Sequence, residues 1–213
     1  MSILVKICGI TDEDGMEAAV GEGADLVGLV FFPPSPRAVT ASIAAELVDQ
    51  LPGDVTRVGL FVDPDDALLE QVLREVRLDL VQLHGTESPE RVDAIRQEWA
   101  IAAMKMIPVA TAADLAAAEA YCDVADWLLF DARPPAGATR PGGNAVSFDW
   151  SLLRGRDWPL PWMLAGGLTP ANVAEAIRQS GATAVDVSSG VEERPGVKSA
   201  AKIRAFIEAV EAV

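Results

Sequence analysis

Short apolar, β-branched runs alternate with amphipathic stretches along the whole chain. The runs cover residues 3–8, 25–31, 55–62, 79–84, 101–107, 126–131, 162–165 and 184–187. Nearly continuous apolar strands separated by helices imply a parallel sheet covered by helices. Between the runs, Ile43, Leu47 and Leu51 recur at i, i+4, i+8, and so do Leu68, Val72 and Val76. Ile203, Phe206, Ile207 and Val210 form the apolar stripe of a last helix. Helix starts are marked as well. Thr11 precedes Asp14 by three, as in a capping box, and Asp63-Pro64, Ser88-Pro89 and Thr169-Pro170 each set a capping side chain before a proline at the first helical position. Eight units in 213 residues give about 27 residues each, enough for one strand, one helix and two loops. The pattern predicts a single-domain (β/α)8 TIM barrel over residues 1–213. An open doubly wound sheet would alternate in the same way, but eight units and no G-x-G-x-x-G after the first strand favour the barrel. The sixth unit is abbreviated, with a long loop over 132–146 and a short helical stretch near 147–154.

Composition narrows the function. Seventeen Lys and Arg against 32 Asp and Glu leave a net charge of −15, which disfavours nucleic acid and anionic membrane as partners. No apolar run reaches the roughly 18 residues of a membrane span. Residues 1–8 lack the charged and apolar regions of a signal peptide. Cys8 and Cys122 are too few and too far apart for a disulfide framework, and one histidine removes most zinc sites. The expectation is a soluble, cytoplasmic protein that works without a metal.

In a barrel of this kind the chemistry sits at the C-terminal ends of the strands. Polar and reactive residues gather there: Lys6 and Cys8, Arg37, Asp63, His84, Asp131, Gly166-Gly167, and Asp186 through Gly190. Strand alternation puts Lys6 and Cys8 on one face, Gln82 and His84 on one face, and Asp186 and Ser188 on one face. A buried lysine needs a partner. Strand eight lies beside strand one when the barrel closes, so Asp186 is the expected partner of Lys6. Gly166-Gly167 and Ser188-Ser189-Gly190 occupy the loops after strands seven and eight, the usual barrel phosphate site, with Gly143 as a third contributor. Cys8 beside Lys6 is a candidate base, and Asp131 its acid partner. Arg37, in a loop held by three prolines, suits a carboxylate. His84 is a wall residue or a base, Asp63 is a helix cap, and Cys122 is packing.

The strand ends together resemble phosphoribosylanthranilate isomerase, over essentially the whole chain. Nine motifs stand in order: Val5-Lys6-Ile7-Cys8-Gly9-Ile10-Thr11, Phe32 through Ser35-Pro36-Arg37, Gly59-Leu60-Phe61-Val62-Asp63, Val81-Gln82-Leu83-His84-Gly85, Phe130-Asp131, Phe148-Asp149-Trp150, Leu164-Ala165-Gly166-Gly167-Leu168, Asp186 through Glu192, and Pro195-Gly196-Val197-Lys198. The resemblance implies an Amadori rearrangement of N-(5-phosphoribosyl)anthranilate in tryptophan biosynthesis, without cofactor or metal. It implies Cys8 as general base and Asp131 as general acid. Arg37, His84, Asp186 and Lys6 would serve the substrate, and Gly143, Gly166, Gly167, Ser188, Ser189 and Gly190 its phosphate. The partner is then a small phosphorylated molecule, and the enzyme a monomer or homodimer.

Two positions depart from the family pattern. Gly142-Gly143-Asn144-Ala145 stands where the family has Gly-Gly-Thr-Gly, and alanine adopts positive φ only at a cost. Ser199 replaces an aspartate before the last helix and is expected to cap it. Two rivals remain, a histidine-pathway or dual-substrate sugar isomerase and a non-catalytic phosphosugar-binding barrel. The first needs a second phosphate loop near strands three and four, where no glycine pair stands. The second needs neither Cys8 nor Asp131.

Overall fold

The computed structural model describes residues 2–135, 137–138, 142–143 and 145–213. Eight parallel strands close a barrel in sequence order: β1 (Leu4–Cys8), β2 (Leu26–Val30), β3 (Thr56–Phe61), β4 (Leu80–Leu83), β5 (Ala102–Val109), β6 (Trp127–Ala132), β7 (Trp162–Leu164) and β8 (Ala184–Val187). β8 pairs with β1, setting Lys6 opposite Asp186, and β1 pairs with β2, setting Cys8 opposite Gly28. Alternation splits the apolar residues into two cores. Leu26, Val58, Leu80, Met104, Met106, Leu129 and Met163 fill the barrel interior. Their neighbours, such as Val27, Val81, Ile107 and Val185, pack outward under the helices.

The outer layer contains α1 (Glu13–Gly21), α2 (Ala41–Asp49), α3 (Asp66–Glu75), α4 (Pro89–Glu98), α5 (Val173–Ser180) and α6 (Ala200–Glu211). The fifth and sixth units are covered by 3-10 segments, Ala112–Tyr121 and Trp150–Leu153, so the short sixth unit expected from the sequence is present. The α6 stripe is buried as expected. On α2, however, Ile43 is 43% exposed and Ala41, Ala44, Leu47 and Val48 face inward; on α3 Leu69 is more deeply buried than Leu68. A four-residue repeat drifts off a 3.6-residue turn, so the true stripe takes neighbouring positions.

Several caps differ from expectation. Asp12, not Thr11, caps α1 by accepting from Gly15 N, while the Thr11 hydroxyl donates to Gly196 O at 2.7 Å. Asp65 caps α3. Asp63 stands outside the helix at φ 45°, its carboxylate accepting from Thr86 N at 2.7 Å. Ser88-Pro89 opens α4 as read. Thr169-Pro170 lies in a turn, and α5 begins three residues later. Ser199 occupies the N-cap of α6 without a side-chain cap bond.

The face of the barrel away from the strand ends is laced by three aspartates. Asp25, before β2, accepts the N–H of Val5; Asp79, before β4, that of Arg57; and Asp126, before β6, that of Ala103, each at 2.8 to 2.9 Å. Each carboxylate ties the entry of one strand to the entry of the preceding one.

Candidate active site

The strand ends enclose a two-lobed cleft. One lobe is walled by Cys8, Arg37, His84, Asp131, Asp186 and Ser188. The other shares Asp131, Asp186 and Ser188 and continues along Gly166, Gly167 and Ser189.

At the floor, the fully buried Lys6 ammonium donates to Asp186 Oδ1 at 2.9 Å, the pairing read from alternation and barrel closure. Lys6 itself does not reach the cleft wall. Its ammonium is engaged below the cleft, by Asp186. Gly28 makes room for the group. A Cβ there would lie 2.9 Å from Cys8 Sγ and 3.2 Å from Lys6 Nζ. Burial pushes the Cys8 thiol up, and the Lys6 cation opposes that rise. Burial works against the charge on Lys6, but Asp186 and Cys8 outweigh it and hold the ammonium above its ordinary range.

Across the cleft, Asp131 lies in β6, where the strand runs on to Ala132. Its Oδ1 accepts from Ala132 N at 2.7 Å, and its Oδ2 lies 3.3 Å from His84 Nε2. The Gln82 amide lies 2.9 Å from His84 Nδ1. With that amide donating, the imidazole proton sits on Nε2, toward the carboxylate. Gly142 closes over both side chains; a Cβ there would lie 2.5 Å from His84 Nε2.

Arg37 is carried on a loop that folds back where Ala38 bridges to Val30. Its Nε and Nη2 donate to Glu192 Oε1 and Oε2 at 2.7 and 2.8 Å. Nη1 faces Gly143, where a Cβ would approach to 2.6 Å. One edge of the Arg37 guanidinium is therefore already committed to a protein carboxylate.

Gly166 and Gly167 have φ of 92° and 64°. Side chains there would also strike Ala132 N and the Val146 carbonyl, so both positions require glycine. Among the described residues, no acceptor takes the N–H of either glycine. Asn172 braces the loop, accepting from Thr169 N at 2.7 Å and donating to Gly167 O at 3.0 Å. Ser188 and Ser189 line the same lobe, but Gly190 does not. A Cβ on Gly190 would lie 1.9 Å from Leu168 O, so this glycine lets the loops after β7 and β8 pack together. Ala145 lines the lobe at φ 54°, the left-handed conformation that its family glycine would take freely. Asn144 lies outside the described residues. Among the described residues, no cluster of His, Cys, Asp or Glu is arranged to hold a metal ion, and no helix is long and apolar enough to cross a membrane.

The family model for N-(5'phosphoribosyl)anthranilate (PRA) isomerase matches residues 5–209. The chain belongs to the PRA isomerase family. It is 71% identical over 209 residues to the N-(5'-phosphoribosyl)anthranilate isomerase of Paramagnetospirillum magneticum, covering 98% of this chain and 97% of that protein. It is 61% identical over 211 residues to that of Rhodospirillum rubrum, covering 97% of each. Among solved structures, a PRA isomerase from Thermotoga maritima superposes with a TM-score of 0.87 at 37% identity, over 99% of this chain and 100% of that one. A PRA isomerase in complex with reduced 1-(o-carboxyphenylamino)-1-deoxyribulose 5-phosphate superposes with a TM-score of 0.86 at 35% identity, with the same coverage.

Two features of this PRA isomerase site escaped the sequence reading. Glu192 and Lys198 stood in motifs but carried no role, and both are buried beside Arg37. Lys105 and Glu87 form a buried pair behind the loop after β4, with Lys105 Nζ also donating to Gly85 O at 2.7 Å. Glu87 in turn accepts from the backbone N–H of Asp63 and Gly85. The signal for Lys105 was a lone charge inside the apolar run 101–107.

Proposed function

We propose that the chain catalyses the Amadori rearrangement of N-(5'-phosphoribosyl)anthranilate to 1-(2-carboxyphenylamino)-1-deoxyribulose 5-phosphate, with Cys8 as general base and Asp131 as general acid. The observation that carries this reading is one cleft holding a thiol over a buried cation, a carboxyl opposite, an arginine at one end and a paired-glycine loop at the other. Asp131 protonates the furanose ring oxygen. The C1–O bond breaks, and the nitrogen lone pair forms an iminium at C1. The Cys8 thiolate then takes the proton from C2, and those electrons flow to nitrogen to give an enolamine. Protonation at C1 and loss of the C2 hydroxyl proton yield the ketone. The substrate nitrogen is the electron sink, so no separate sink is required.

His84 Nε2 lies 3.3 Å from Asp131 Oδ2 without a hydrogen bond, and the imidazole walls the carboxyl on that side. Lys6 supports the thiolate that forms on Cys8, and Asp186 holds Lys6 while also presenting its carboxylate to the sugar hydroxyls. The N–H groups of Gly143, Gly166 and Gly167, with Ser188 and Ser189, take the phosphate. Backbone donors can do this inside a chain of net charge −15 because they add partial positive charge without a cation. A two-phosphate substrate is disfavoured at the β3–β4 rim, where the exposed carboxylate of Asp63 would meet the second phosphate. The reading extends to a cytoplasmic monomer or homodimer with its whole site in one chain.

The test is turnover of freshly made phosphoribosylanthranilate, with the two-phosphate histidine-pathway substrate as control. Cys8→Ser and Asp131→Asn are each expected to lose about 10²–10⁴-fold in kcat while still folding and binding product. Undiminished activity in both variants refutes the assignment.

A further inference from the structure

Arg37, Glu192 and Lys198 form a buried cluster at the edge of the cleft, with 5%, 6% and 8% of their surfaces exposed. Glu192 uses both oxygens. Oε1 accepts from Arg37 Nε at 2.7 Å and from Lys198 Nζ at 3.0 Å, and Oε2 accepts from Arg37 Nη2 at 2.8 Å. Lys198 reaches further, donating to Ser188 O at 3.1 Å. The carboxylate is itself anchored. Glu192 opens a hairpin of β9 (Glu192–Arg194) and β10 (Val197–Lys198), and Lys202 Nζ donates to its carbonyl at 2.6 Å. Gly196 in the hairpin turn packs so closely on Pro36 that a Cβ would lie 2.5 Å from the Pro36 carbonyl oxygen.

A guanidinium offers two bidentate edges, one through Nε and Nη2 and one through Nη1 and Nη2. Glu192 occupies the first. The second is left along the wall that Arg37 shares with the cleft, beside Gly143. The cluster also holds two cations against one anion, so it carries a formal charge of +1 within an acidic protein. We propose that Glu192 is a positioning residue. It clamps one edge of Arg37 so that the other edge meets the carboxylate on the substrate's aromatic ring. This rests on the assignment of phosphoribosylanthranilate as substrate. The clamp removes rotamer freedom from a long side chain before the ligand arrives, so less is lost on binding. Burial pushes the Glu192 carboxyl up, but Arg37 and Lys198 overcome that and hold it ionised.

Steady-state kinetics on the intact chain test it, with phosphoribosylanthranilate and its carboxylate-free counterpart, N-(5-phosphoribosyl)aniline. Glu192→Gln is expected to raise KM for the first substrate about 10- to 100-fold, with kcat within about threefold, and to leave the second substrate unchanged. Glu192→Asp should recover part of that KM. The Arg37→Ala/Glu192→Gln double variant should be no worse than Arg37→Ala alone. Equal losses on both substrates, additivity in the double variant, or a loss confined to kcat would each overturn the proposal. If Glu192→Gln does not fold, chemical rescue replaces it: millimolar guanidinium should restore Arg37→Ala while the Glu192 carboxylate is present, and failure to do so counts against the clamp. A wild-type chain inactive on phosphoribosylanthranilate removes the functional reading together with the inference. An active wild type that Glu192→Gln merely matches removes the inference alone.

Discussion

At the scale of single residues, Cys8 sets the pH behaviour of the site. The proposed base is the thiolate, and burial holds the thiol above its ordinary range against the pull of Lys6. The reaction needs Cys8 deprotonated and Asp131 protonated together, so kcat/KM should fall on both sides of an optimum, and Cys8→Ser should remove the limb that the thiol sets. Stability runs the other way. Above the ordinary thiol pKa the unfolded chain has released a proton that the folded chain still holds, so stability falls as pH rises there. Lys6, also raised, adds to the same trend: its contribution is complete below its ordinary pKa and is lost as pH rises through the folded value. Denaturant midpoints for wild type and Cys8→Ser, compared between pH 8 and 10, measure the thiol's share. Ala145 is the second residue with a legible cost. Its φ of 54° carries about 1–2 kcal/mol of steric strain, which Ala145→Gly relieves while adding roughly 0.4–1 kcal/mol of unfolded-chain entropy. The expected result is a gain of about 1 kcal/mol or less in a urea titration, with kcat preserved.

At the scale of elements, the loop between β7 and α5 is held by one side chain that bonds forward and back, Asn172. Asn172→Ala frees both Thr169 N and Gly167 O. It should cost about 1–2 kcal/mol of stability and weaken competitive inhibition by inorganic phosphate, measured as an increased inhibition constant. Elements are also where the sequence was most and least readable. The Lys6–Asp186 pair was legible because period-two alternation and closure of strand eight on strand one leave a lysine only one partner. The α6 stripe was legible because four apolar residues fall on one 3.6-residue face. Asp63 misled because Asp-Pro looks like a cap, whereas the left-handed turn and the Thr86 bond belong to a neighbouring loop. Thr169-Pro170 misled for a related reason: the turn braced by Asn172 delays the helix by three residues. Glu192 stayed silent because its burial depends on a hairpin closing onto Pro36 and Arg37 from the far end of the chain.

At the scale of the whole molecule, the barrel separates its tasks by face. The strand ends hold the chemistry, and the opposite rim is secured by Asp25, Asp79 and Asp126. Replacing any one of them with alanine should cost about 1–3 kcal/mol. The costs should add, because the three sites share no partners; thermal melts of the single and triple variants would show it. kcat should stay within about twofold, since no member of the trio borders the cleft. The trio also has a direction. Each carboxylate joins an odd strand to the even strand after it: the first to the second, the third to the fourth, the fifth to the sixth. Among the described residues, the seams between those couples have no such clasp. A circularly permuted gene opened in the segment between α2 and β3 would keep every clasp inside an uninterrupted stretch of chain. One opened between α1 and β2 would divide a clasp between the two new ends, and should refold more slowly to a less stable barrel.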